Sequence, residues 1–170
     1  MPDSTGLELI AQEVRENLGD AAVTRTQFYR GQATLEVDPG SVHDVLGALK
    51  PDWEWLMSLH ACDYLPEEPR LGVHYQLLSR ARLDRLNVKT RLGAEEPALA
   101  TVTDLYPGAE YPEREVFDMF GVVFDGHPDM RRILMPEDYV GHPQRRDFPM
   151  GGEEVLFTFN EHEVPRWYDK

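Results

Sequence analysis

Cysteine is nearly missing: Cys62 is the only one in 170 residues. One thiol forms no internal disulfide and cannot hold an iron–sulfur cluster, which takes about four thiolates. The expectation is a small core residue in a reducing compartment. Long apolar runs are also missing, and no stretch approaches the roughly 20 apolar residues of a membrane-spanning helix. The start, Met1-Pro2-Asp3-Ser4-Thr5, carries neither the basic nor the apolar region of a signal peptide. Membrane contact is therefore expected only through partners. Positive charge is scarce, with 17 Lys plus Arg against 31 Asp plus Glu and a formal net charge of −14. Such a surface repels nucleic acid and anionic lipid over most of its area, so no nucleic-acid partner is expected. Catalytic motifs are lacking as well: there is no Gly-x-Gly-x-x-Gly, no phosphate loop ending in Lys-Ser/Thr and no Gly-x-Ser-x-Gly. Ser41, Ser58 and Ser79 have no convincing partners for a nucleophilic triad. The chain is a weak candidate for an enzyme acting alone.

What is present is an ordinary globular composition, 41% hydrophobic, of single-domain length. Thr5-Gly6-Leu7-Glu8 has the form of a capping box, and Leu7, Ile10, Ala11, Val14 and Leu18 follow helical spacing up to Gly19. Strand formers fill 22–29, Arg30-Gly31-Gln32 reads as a turn, and 33–37 is the return strand of a hairpin. Val42, Val45, Leu46 and Leu49 predict a second helix that ends before Pro51. Strands are expected over 56–64, 71–79 and 86–92, the last alternating Leu86, Val88, Thr90, Leu92 against Asn87, Lys89, Arg91. The order predicts an α+β fold: a mixed sheet of about five strands with helices on one face, followed by an irregular C-terminal arm. Pro112 suits the first turn of a further helix, Val116, Phe117 and Phe120 give it an apolar face, and Gly121 is its natural C-cap. The α+β domain is taken as 1–125. Residues 126–170, dense in Gly, Pro, Arg and Asp, are taken as an extended arm lying on its own domain or on a partner.

Within that arm a short pattern occurs twice. Gly126-His127-Pro128 leads through Asp129-Met130 to Arg131-Arg132, and Gly141-His142-Pro143 leads through Gln144 to Arg145-Arg146. Guanidinium groups pair bidentately with carboxylates. The arginines therefore read either as an interface device or as neutralisers of Asp118, Asp129, Glu137, Asp138 and Asp147. His127, His142, Asp118 and Asp147 offer a two-His, two-carboxylate metal set. Against it, Pro follows each histidine and no compact ligand spacing is present, so turn histidines bonded to backbone are the safer reading. His60, Cys62 and His74 lie on predicted strands and are read as core packing.

Glu113-Arg114-Glu115-Val116-Phe117-Asp118-Met119-Phe120-Gly121 resembles the Glu-Arg-Glu-x-x-Asp-Met-Phe-Gly signature of the 30 kDa-type, or C-type, subunit of respiratory complex I. The similarity continues through Phe124-Asp125-Gly126-His127-Pro128-Asp129-Met130-Arg131-Arg132-Ile133-Leu134 and Gly141-His142-Pro143-Gln144-Arg145-Arg146-Asp147-Phe148-Pro149. It extends more weakly upstream through Asp63-Tyr64, the strand at His74, Val88-Lys89 and Val102-Thr103. Pro112 stands where relatives continue directly into the signature. The resemblance implies a cofactor-free, non-catalytic subunit of the peripheral arm of a proton-translocating NADH:quinone oxidoreductase. FMN, iron–sulfur clusters and quinone would be bound by other subunits. Its partner would be the 49 kDa-type (D) subunit near the quinone site, together with other peripheral-arm subunits, on the cytoplasmic side of the cell membrane. The chain is also similar to subunits of related energy-converting hydrogenases. The signature residues from Glu113 to Pro149 are expected at the subunit interface, with Arg131, Arg132, Arg145 and Arg146 bridging to acids of the neighbour.

Overall fold

The computed structural model describes residues 4–149; the rest of the expected arm, 150–170, lies outside the described residues. Helix α1 is Ser4–Leu18, and its apolar stripe of Leu7, Ile10, Ala11 and Val14 is buried. Gly19 ends it, and Glu8 accepts a hydrogen bond from the Thr26 hydroxyl on the neighbouring strand. Strands β1 (Val23–Tyr29) and β2 (Gln32–Val37) form the expected antiparallel hairpin. Helix α2 (Val42–Leu49) buries Val42, Val45, Leu46 and Leu49. Strands β3 (Trp55–Asp63), β4 (Leu71–Ser79) and β5 (Asp84–Leu92) then follow as an antiparallel meander.

These strands make one five-stranded sheet in the order β1-β2-β5-β4-β3. The β2–β5 pair is parallel and the others are antiparallel, so the sheet is mixed. Its register explains the single core. Ala33 faces Leu86, Leu35 faces Val88, Leu86 faces Leu77, Val88 faces Tyr75, and Tyr75 faces Leu59. Side chains alternate along each strand, so these apolar residues share one face. The helices cover that face in one continuous hydrophobic cluster.

The opposite face bears Thr34, Glu36, Asn87, Lys89, Arg91, His74, Gln76, Ser58, His60 and Cys62. This corrects the reading of His60, Cys62 and His74 as core residues. Leu59 and Ala61 take the core side of β3, which turns the residues between and after them outward. His60 and His74 stack with parallel rings, centroids 5.1 Å apart. Partial burial, with help from His60 and Lys89, holds the His74 imidazole down at about 4, so this stack is neutral at pH 7.

One feature was not foreseen. Strand β6 (Ala98–Ala100) pairs in parallel with β7 (Val123–Asp125), on either side of helix α3 (Glu110–Phe120). Three residues are too few for alternation to show in a sequence. The pair matters because it anchors both ends of α3, the element that carries the signature. Pro112 lies in the first turn of α3, where an absent N–H leaves no helical bond unmade.

Candidate functional site

Two carboxylates on α3, Glu113 and Asp118, are wholly buried. A buried carboxylate is costly unless its oxygens are occupied, and each oxygen here has work. Glu113 accepts the Val102 N–H at 2.8 Å on one oxygen and the Thr101 hydroxyl at 2.6 Å on the other. It thereby ties the segment after β6 to α3. Burial raises its pKa, and the bonds from Thr101 and Val102 only partly oppose this. A carboxyl raised on folding stabilises the protonated form. Its penalty is absent below the ordinary value of 4.5 and grows as pH rises toward the folded value. Glu113→Gln should therefore gain in melting temperature relative to wild type between pH 4.5 and pH 7. Melting curves at several pH values check this, and a constant difference would contradict it.

Asp118 lies on the face of α3 turned to the arm. One oxygen, Oδ2, accepts three successive backbone N–H groups, from Ile133 (3.0 Å), Leu134 (2.7 Å) and Met135 (2.8 Å). The other, Oδ1, accepts from Arg132 at 2.6 Å. Burial pushes the Asp118 pKa up, but the bonds from Met135, Arg132, Leu134 and Ile133 outweigh it and the net shift is downward. One turn earlier, Arg114 donates to the carbonyls of Arg131 (3.0 Å) and Arg132 (3.1 Å). An i, i+4 pair on one helix face thus holds five consecutive residues of the arm by their backbone.

The C-terminal end of α3 is closed by the second Gly-His-Pro motif. The last carbonyls of a helix have no intrahelical donor, and here the arm supplies them. His142 donates from Nδ1 to the Asp118 carbonyl at 3.0 Å, the Gln144 N–H to Met119 at 3.1 Å, and Arg145 to Phe120 at 2.6 Å. Gly121 turns the chain in the left-handed region, φ +75°, directly under the His142 ring. The first motif fastens the arm to the N-terminal end of α3. His127 accepts the Asp129 N–H on Nδ1 at 3.0 Å and donates from Nε2 to the Glu110 carbonyl at 2.9 Å.

A third fastening lies at the end of the sheet. Arg70 forks onto Asp63 (3.0 and 2.5 Å) and onto Asp147 of the arm (2.8 Å twice). Asp63 also accepts the Arg146 and Leu65 N–H groups, and the Arg146 guanidinium donates to the Leu65 carbonyl. The Arg70 guanidinium lowers the pKa of both Asp63 and Asp147. Carboxyls lowered on folding stabilise above their unfolded value, near 4, and lose that stabilisation as pH falls through the folded value. Acid unfolding of the wild type should therefore be driven below about pH 4. Arg70→Ala, which leaves Asp63 buried without its ion partner, should cost about 3 kcal/mol at pH 7, with the deficit shrinking in acid. Urea titrations at pH 7 and pH 3 test both statements.

Residues 35–154 match the family model described as "Respiratory-chain NADH dehydrogenase, 30 Kd subunit". The chain belongs to this family. It is 46% identical over 151 residues to the C-type subunit of the NADH-quinone oxidoreductase of Roseiflexus castenholzii, covering 86% of each protein. A solved structure of a trypsin-resistant fragment of Nqo5 superimposes with a TM-score of 0.63 at 30% identity, covering 72% of this chain and 98% of that one. A chain of the membrane-bound sulfane sulfur reductase, an archaeal respiratory membrane complex, superimposes with a TM-score of 0.71 at 26% identity over 94% of this chain and 98% of its own.

The family signature is thus a set of fastenings. Glu113, Arg114, Asp118, Gly121, His127, Arg132, His142, Arg145, Arg146 and Asp147 all bind within the chain. Met119 and Phe120 are core residues, and Glu115, Pro128 and Pro149 are exposed. Arg131 pairs with its near neighbour Asp129 at 2.7 Å. Arg131 and Arg132 meet acids of the chain itself, as neutralisers would, while the guanidinium groups of Arg145 and Arg146 meet its backbone carbonyls. Glu137 and Asp138 are exposed. The four donors weighed as a metal set are committed elsewhere. Among the described residues no group of three or more His, Cys, Asp or Glu is placed to hold a metal ion. Nor is any described helix long and apolar enough to cross a membrane. Arg70 was missed altogether. It lies outside the signature, and only the pairing of β3 with β4 brings it to Asp63.

Proposed function

We propose that this chain is the 30 kDa-type subunit of a proton-translocating NADH:quinone oxidoreductase. It acts as a structural, non-catalytic and cofactor-free member of the peripheral arm, on the cytoplasmic side of the membrane, supporting the 49 kDa-type subunit near the quinone site. The described body, 4–125, carries the described part of the arm, 126–149, by which it reaches partners. The observation that carries this reading is the use to which the signature is put: its buried polar groups are spent on holding an irregular segment in one shape. A shape fixed at such expense, with the donors of the weighed metal set already bonded, suits a part that is gripped by a neighbour. The Roseiflexus relative, an NADH-quinone oxidoreductase subunit by name and matched over 86% of both chains, supports the same assignment.

Purification through a tag on this chain from membranes solubilised in mild detergent is expected to bring NADH-oxidising and quinone-reducing subunits, with NADH:quinone activity following the tag. A second reading, a subunit of a respiratory membrane complex without an NADH module, draws on the 0.71 TM-score with the sulfane sulfur reductase chain. Recovery of the quinone-reducing part with no flavin- and NADH-binding subunits in the genome or the preparation would favour it. A chain recovered alone from every preparation would reject both.

A further inference from the structure

The segment from Arg132 to Gly141 returns on itself, and Arg132 closes its base. One guanidinium nitrogen donates to Asp118 and the other to the Gly141 carbonyl at 2.9 Å. Just inside, the three N–H groups on Asp118 fix the backbone of Ile133, Leu134 and Met135. On the returning side Tyr139 stacks on Phe148, ring centroids 6.2 Å apart, and lies under the Arg132 guanidinium. Met135 packs against the core. Ile133, Leu134 and Val140 do not: Leu134 is 60% exposed and Val140 67%. Glu137 and Asp138 stand exposed between them.

Apolar side chains on a free loop can fold back onto their own domain. Here the backbone is pinned from beneath and the apolar residues are held outward. Such ordering lowers the entropic cost of association, because the loop is already in its bound shape. A few residues seated in well-packed, desolvated pockets carry most of the energy of a protein interface, and exposed aliphatic side chains gain by entering such a pocket because their apolar surface leaves water. We propose that residues 132–141 form a preformed docking loop whose Ile133, Leu134 and Val140 enter an apolar pocket on a neighbouring protein subunit, with Lys or Arg on the pocket's rim facing Glu137 and Asp138. The proposal rests on the chain being a subunit of a larger complex. It commits to protein rather than membrane, because two carboxylates at the tip of a chain of net charge −14 are repelled by anionic headgroups.

The test uses the whole chain in its complex. A photo-crosslinking amino acid replaces Leu134 in the otherwise native chain, and Leu134→Glu is compared with wild type. The expected result is a crosslink from position 134 to one subunit, at least a tenfold fall in the assembled share of Leu134→Glu, and an unchanged melting temperature of that purified variant. Glu137→Lys together with Asp138→Lys should weaken assembly in the same way. Wild-type assembly of Leu134→Glu with position 134 silent in the complex would overturn the loop while leaving the subunit reading intact. A wild-type chain found in no respiratory complex would reject the reading beneath it. Binding of the wild-type chain to phosphatidylglycerol vesicles, lost in Leu134→Glu, would overturn the protein pocket in favour of lipid.

Discussion

Asp118→Ala is expected to destabilise the chain by about 3–5 kcal/mol, the usual cost of removing one partner from a buried, hydrogen-bonded ion pair. The carboxylate answers three backbone N–H groups and one guanidinium, all part-buried. Each donor left without an acceptor costs about 1–3 kcal/mol, less where the arm can swing out to water. For a chain of this length such a loss lowers the melting temperature by on the order of 10 °C. Asp118→Asn separates the two kinds of donor. Its carbonyl oxygen can still receive the N–H groups of 133–135, but its amide then meets the Arg132 guanidinium donor to donor. It should lose about half as much. Arg132→Ala alone should cost about 1–3 kcal/mol, and less in that background, because only its bonds to backbone carbonyls are lost in both. Urea denaturation of the four proteins closes the cycle. Limited proteolysis should show cleavage near 133–140 in Asp118→Ala before the sheet is attacked. Equal resistance of that segment in wild type and variant would mean that something other than this carboxylate holds the arm.

The sheet and its helices were readable because their information is local. Val73, Tyr75 and Leu77 alternate with His74 and Gln76, and the 3–4 spacing in α1 and α2 shows directly which side is wet. Cys62 and His60 were misplaced because alternation gives two faces without saying which one is covered; only the pairing of Leu59 with Tyr75 decides it. The signature presents the opposite case. Its identity was legible from fixed spacing alone, yet its physical use was not. Asp118, opposite the Val116, Phe117 and Phe120 stripe, looks like a solvent-facing acid of an amphipathic helix, and nothing in the sequence says that 133–135 will supply the donors that let it be buried. Arg70 was invisible for the same reason, since its partners Asp63 and Asp147 are separated in the chain and meet only when arm and sheet close together.

Gly121→Ala is the second change expected to have a large effect, and it distinguishes two reasons for a glycine. At φ +75° any side chain brings backbone strain of about 1 kcal/mol. Strain alone predicts that Gly121→Asn, which tolerates the left-handed region, would be nearly harmless. The packing predicts otherwise. A Cβ at this position would lie 2.5 Å from Nε2 and 2.6 Å from Cδ2 of His142, and 2.8 Å from a guanidinium nitrogen of Arg145. Neither group can yield cheaply, because His142 and Arg145 are the donors that close the α3 carbonyls of Asp118 and Phe120. Either the ring and the guanidinium leave, and the end of the helix loses its caps, or the helix end itself moves. Both Gly121→Ala and Gly121→Asn should therefore lose about 3 kcal/mol, combining strain with overpacking. The decisive comparison is with His142→Ala. Opening that space should recover part of the loss in Gly121→Ala, giving a favourable coupling of about 1 kcal/mol or more in a double-mutant cycle. Additive effects, or a Gly121→Asn variant as stable as wild type, would reduce the glycine to a matter of backbone geometry and detach it from the arm.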